Sequence, residues 1–168
     1  MHVLRVLTVG VFLALAGGLA GSMANAQGTQ VAFGNVSQDS SLPVEVTADA
    51  LDVDQNDGTA IFTGNVLIGQ GEMRLSAPRV LVVYMEDQSG IDRLQATGGV
   101  TLVSGQDAAE ASRADYNVQT GMIEMRGDVL LVQGRSALTA EMMTVDTKAG
   151  TARMSGRVKT VLQPESGE

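Results

Sequence analysis

The chain has 168 residues, with 11 Lys and Arg against 19 Asp and Glu, a formal charge of −8 and no cysteine. A chain this acidic lacks the clustered cations that nucleic acid or an anionic membrane surface requires. Without cysteine it holds neither a disulfide framework nor a thiolate metal site.

Residues 1–26 read as a secretory signal peptide. Arg5 supplies the positive n-region, residues 6–19 form an apolar run, and Ala24-Asn25-Ala26 is a small-x-small cleavage site. The run falls short of the roughly 20 apolar residues that a membrane span needs. Export and cleavage before Gln27 are expected, and the loss of Arg5 then takes the charge to −9. Cleavage also removes His2, the only histidine. Ser-His-Asp and Cys-His nucleophilic systems and imidazole zinc sites are thereby excluded.

Residues 27–43 look like a lead-in, either flexible or an edge strand, and residues 163–168 like a frayed tail. Between them, residues 44–162 repeat a unit in which a turn leads into a strand with glycine at its centre. The unit occurs from Gly58 through Gly64 to Ile68, from Gly121 through Gly127 to Leu131, and from Gly150 through Gly156 to Val158. A degenerate copy runs from Asp92 through Gly98 to Leu102; Asp92 replaces the leading glycine and Gly99 is added. The central glycines at 64, 98, 127 and 156 stand 34, 29 and 29 residues apart, the spacing of an array whose units bury their faces against neighbours.

Inside each unit the period is two, which marks half-buried strands. A glycine repeatedly placed in mid-strand predicts a corner where the strand folds from one sheet into the facing one. A second strand precedes each glycine strand, at 46–53, 75–84, 112–118 and 138–145. Gly58, Gly90, Gly121 and Gly150 end the hairpin turns that join them. The fold class predicted is all-β, two facing antiparallel sheets winding as a jelly-roll-like array with open ends.

The alternation points Phe62, Val66, Ile68, Leu94, Val100, Leu102, Tyr116, Val118, Met125, Val129, Leu131, Met143, Val145 and Met154 inward. With 3% aromatics the chain has few large side chains to fill a wide core. Either its layers lie close together or the interior is not filled by the protein itself. The inward methionines are flexible and polarizable; they fill gaps in a core or suit a groove for acyl chains. Exposed edges are expected at Val44 and Val46 and at Val158 and Val161, where a strand from a partner can add.

Little points to catalysis or a bound ion. Asp52, Asp54 and Asp57 superficially resemble a calcium loop, but Asp57 and Thr63 stand where an EF-hand needs glycine and glutamate. The segment reads instead as strand-end carboxylates and an Asn56-Asp57-Gly58 turn. No enzyme activity, metal or cofactor is expected.

The signal, the chain length and the Gly-x-Ala/Ile-x-Phe/Met-x-Gly-x-Val units, clearest over residues 46–51 and 58–66, resemble the OstA-like family over residues 42–162. That resemblance implies a V-shaped, slightly twisted β-jelly-roll in the periplasm. Its groove would hold the acyl chains of lipopolysaccharide and leave the sugars in water. Membership further implies edge-to-edge joining, head to tail with further copies. Partners would be an inner-membrane-anchored C component and an outer-membrane D component. Arg74, Arg79, Arg93, Arg113, Arg126 and Arg135 would be free to meet lipid phosphates at the rim. The alternatives are the periplasmic part of the sister C component, and a β-solenoid scaffold that binds protein or polysaccharide.

Overall fold

The structure, a computed structural model, describes residues 29–34 and 41–161. The signal-peptide and tail expectations lie outside the described residues. Eleven strands make up the described chain: β1 (Thr29–Ala32), β2 (Glu45–Thr47), β3 (Ala50–Asp54), β4 (Thr59–Gln70), β5 (Met73–Tyr84), β6 (Ile91–Ser104), β7 (Asp107–Asn117), β8 (Met122–Gln133), β9 (Ser136–Asp146), β10 (Thr151–Ser155) and β11 (Lys159–Val161). They form one antiparallel sheet in the order β1-β10-β9-β8-β7-β6-β5-β4-β2, with β3 also on β4 and β11 also on β9. The sheet does not close into a barrel.

The central glycines are the corners that the sequence predicts. Thr63 pairs with Arg79 and Val66 with Ala77, so Gly64 and Asn65 together stand opposite Pro78 alone. This two-against-one count is a β-bulge, which bends the strand and sharpens its twist. Gly64 and Asn65 both have positive φ, +78° and +45°, and Gly127 and Asp128 repeat the pair at +84° and +49°. Gly99 takes the second place in the β6 corner at +96°, so the added glycine of the degenerate copy makes the same bend. Inside the bends, Ala77, Ala111 and Ala140 pair with Val66, Val100 and Val129. Methyl side chains at these corners let the two halves of the sheet approach closely.

The corners divide the sheet into two facing leaves. Leaf I runs from β3 across the halves of β4–β9 that carry residues 59–63, 79–83, 91–97, 113–117, 122–126 and 142–146, to β10 and β1. Leaf II runs from β2 across the halves that carry 66–70, 73–77, 100–104, 107–111, 129–133 and 136–140, to β11. The turns at the leaf I tips are set by Asx residues. Asp54 Oδ1 accepts from the amides of Asn56 and Asp57, and Asp146 Oδ1 from those of Lys148 and Ala149. Asp87 does the same for Ser89, whose hydroxyl and amide hold its carboxyl below the usual range. The supposed calcium loop is one of these turns.

Two expectations need correction. Residues 46–53 are not one strand: the chain turns at Ala48 and Asp49, and the Asp49 amide donates to Gly64 O at 2.9 Å. This break is the corner of the first strand, equivalent to Pro78 in β5. The edge at the end of the array is also only partly C-terminal. In leaf II it is β11, carrying Val161, with Val158 just before it. In leaf I it is β1, which the chain carries from its N-terminal side to the far end of the sheet.

Candidate functional site

The feature that runs the length of the molecule is the space between the leaves. On leaf I, directly opposed residues form an inner row of Leu51, Phe62, Val80, Ala96, Ala114, Met125, Met143 and Met154. On leaf II the matching row is Val46, Ile68, Leu75, Leu102, Ala109, Leu131 and Leu138. Neither row contains a charge. Each fully buried Leu, Ile or Met contributes about 1.5–3 kcal/mol to holding the leaves together.

Of the residues that alternation points inward, Val66, Ile68, Leu94, Val100, Leu102, Tyr116, Met125, Val129, Leu131, Met143, Val145 and Met154 are at most 2% exposed. Phe62 and Val118 are partly buried against the same core. Sequence reasoning missed Met73, Leu75, Val80 and Val82 on β5, Ala109 and Ala114 on β7, Leu138 on β9 and Phe33, all buried. Most belong to strands whose phase changes at a corner. On β5, Met73, Leu75 and Ala77 face inward on odd numbers and Val80 and Val82 on even ones, with Pro78 between. The two layers lie close together and fill their own interior, which answers the question raised by the scarcity of bulky side chains.

Buried polar side chains mark the leaf tips: Gln70, Ser104 and Thr147. There the slot between the leaves is clasped twice. In the first clasp the Tyr116 hydroxyl of leaf I donates to Gln70 Oε1 of leaf II, and Gln70 Nε2 donates to Leu42 O at 2.9 Å. Burial pushes the Tyr116 phenol above its ordinary pKa, against a smaller opposing effect of the Thr147 hydroxyl. In the second, the Phe33 amide donates to Gly150 O on leaf I at 3.0 Å and the Gly34 amide to Asp107 Oδ2 on leaf II at 2.8 Å. Gln133 Nε2 joins them by donating to Ala32 O at 2.6 Å and to Asp107 Oδ2 at 3.0 Å.

The two ends of the interior differ. At the start, Leu51 and Val53 extend the inner face of leaf I onto the edge strand β3 and remain 53% and 59% exposed. Val46 on β2 and Val44 just before it are partly buried against the core. At the far end β1 covers β10, and Phe33, the residue after it, is 3% exposed.

The arginines are not gathered at the rim. Arg79, Arg113 and Arg126 lie beside the corners on the outer face, where Arg113 directly opposes Arg126. An ion pair between Arg126 and Glu124 offsets that like-charge contact. Arg74 and Arg135 lie near the leaf II tips, and Arg74 Nη1 donates to Gly71 O and Met73 O. Arg93 is exposed in the tip-side half of β6 on leaf I, opposite Asn117. No group of three or more carboxylate or histidine side chains that would hold a metal occurs among the described residues.

Comparison with known proteins points the same way as the interior. Residues 45–151 match the family described as LptA/(LptD N-terminal domain) LPS transport protein. An uncharacterised protein of Rhizobium meliloti (strain 1021) is 30% identical over 125 residues, covering 68% of this chain and 67% of that protein. The crystal structure of LptH superposes with a TM-score of 0.67 at 19% identity, over 76% of this chain and 99% of that one. LptH is the LptA-homologous periplasmic component of the lipopolysaccharide transport device of Pseudomonas aeruginosa. At that identity the likeness speaks to the fold alone.

Proposed function

The chain belongs to the LptA and LptD N-terminal-domain family of lipopolysaccharide transport proteins, and we propose that it is a periplasmic carrier that takes lipopolysaccharide acyl chains between its leaves. It is a transport protein, not an enzyme. One observation carries the reading: the inner rows are apolar from β3 to β10 on leaf I and from β2 to β9 on leaf II, and among the described residues the buried polar side chains lie at the leaf tips. An acyl chain can lie along such a surface without desolvating a charge, while a sugar headgroup stays outside. Because the resting interior is closed, loading requires the leaves to part along the slot. Met125, Met143 and Met154 stand side by side across β8, β9 and β10, and adaptable side chains lower the cost of repacking around a guest.

The edges support joining to other copies or to partners of the same fold. β2 and β3 carry Glu45, Asp52 and Asp54; β11 carries Lys159, and β10, beneath β1, carries Arg153, while Arg157 between them is ion-paired with Glu141. An acidic leading edge and a basic trailing edge favour head-to-tail contact and disfavour head-to-head. In this reading Val44, Val46, Val158 and Val161 lie at the joints. The inner-membrane C component and the outer-membrane D component meet the chain at its opposite ends. Export with a cleaved signal at Ala26 supplies the periplasmic location.

Photo-crosslinking tests the cargo site. A benzophenone side chain at Val100, on the inner face, should crosslink to added lipopolysaccharide, and the same group at Thr101, on the outer face, should not. Equal yields at both positions, or none at Val100, would sink the proposal.

A further inference from the structure

Residues 29–34 reach the far end of the sheet although β2, the next strand in the chain, lies at its start. Thr29 to Ala32 pair with Met154 to Thr151, so the leaf I edge along β10 is filled by the chain's own strand. Beyond that strand Phe33 is buried, and Gly34 crosses to leaf II to meet Asp107. Gly34 has φ +77°, and a Cβ there would lie 2.5 Å from Ser104 Oγ, so the crossing is fitted to glycine. A single short segment thus both occupies an edge and bridges the slot.

We propose that residues 29–34 are a displaceable latch, and that a strand arriving on β10 from a second copy releases the edge and the slot together. The arriving strand is β3, whose outer side is unpaired and whose Asp52 and Asp54 complement Arg153. The hold is suited to exchange. The seat is four residue pairs on one strand, three of the four β1 residues are exposed, and Phe33 is the one buried side chain of the segment. An incoming β3 offers five residues with the same antiparallel geometry. Joining copies would then open the interior at the joint, so that loading follows assembly. The purpose of the latch rests on the carrier reading; its geometry does not.

The test is a lock. Gln30 and Arg153 oppose each other on the outer face and the chain contains no cysteine, so Gln30→Cys with Arg153→Cys gives a single disulfide across the seat. Reduced and oxidised forms of this one protein are compared for self-association by native mass spectrometry and for uptake of the apolar dye phenylnaphthylamine. Oxidation should hold the protein monomeric and weaken dye uptake about tenfold by depleting the competent state, and reductant should restore both. Phe33→Ala should shift both readouts the opposite way. The latch is overturned if oxidation changes neither readout, if it changes only one, or if the disulfide fails to form. Lipopolysaccharide binding by the wild-type chain is measured alongside. Its absence with the lock effects intact would remove the carrier reading and leave the latch.

Discussion

At the start of the array Leu51 and Val53 stand more than half exposed on a strand paired on one side only, whereas at the far end Phe33 is buried beyond a strand that covers its neighbour. Both ends terminate the same sheet and both continue the same inner apolar face. The difference lies in what the chain does with the unpaired edge. An exposed apolar edge strand is an aggregation hazard, and charged residues on the strand reduce it. At the start Asp52 and Asp54 alternate with Leu51 and Val53, so the edge stays bare but is acidic. At the end the chain spends its own N-terminal segment to cover β10. In leaf I the edge at the start is thus bare, and the edge at the far end is covered wherever β1 stays on β10.

The largest effect should come from the wall the two ends share. Val129→Asp or Met125→Asp places a carboxylate in the closed interior, and each should cost more than about 4 kcal/mol in urea unfolding. Such a loss should abolish docking at both ends at once; a variant that keeps one end working would break the picture of a single cooperative core. Phe33→Ala and Leu51→Ala then separate the ends directly. The first should cost about 3 kcal/mol as a buried aromatic is removed, and the second less than about 0.5 kcal/mol as an exposed position. Equal losses would mean that Phe33 is not the anchor its burial indicates.

Tyr116→Phe removes the other clasp and leaves Gln70 Oε1 without that donor, at a cost of about 1 kcal/mol near neutral pH. Its pH dependence has a definite sign. Burial raises the phenol's pKa in the folded state, so above the unfolded value, near 10, the unfolded chain loses a proton that the folded chain keeps. Stability from this group is complete below that pH and is lost as pH rises through the folded pKa. The Phe variant should show a shallower decline in alkaline denaturant titrations. Smallest of all should be the effect of Asp52→Lys on the bare edge. The melting temperature should stay unchanged, while head-to-tail self-association weakens about threefold at low salt and less in high salt.

Much of the fold is legible because each glycine strand keeps its phase through the corner. A bulge of two residues, such as Gly64 and Asn65, preserves the even numbering, so Phe62, Val66 and Ile68 read as one face and are one face. The partner strands turn on a single residue instead: Pro78, Ser112 or Glu141. One residue inverts a period of two, so Leu138 and Ala140 face inward on one side of Glu141 and Met143 and Val145 on the other. Reading one half of β9 correctly therefore leaves the other half unread. Tyr116 was legible as an inward residue, but not its bond to Gln70, because that contact joins residues 46 apart that only the meeting of the leaf tips brings together.

The sequence by itself determined the long glycine-centred strands, their corners and the inward phase along them, since each follows from local spacing. Only the tertiary structure decided that the layers touch and that β1 seals the far edge. Strand pairing is a non-local choice: nothing within residues 29–34 says which of two open edges they will join. Their place is set by the slot and edge that the completed array presents, with Gly150 on one leaf and Asp107 on the other.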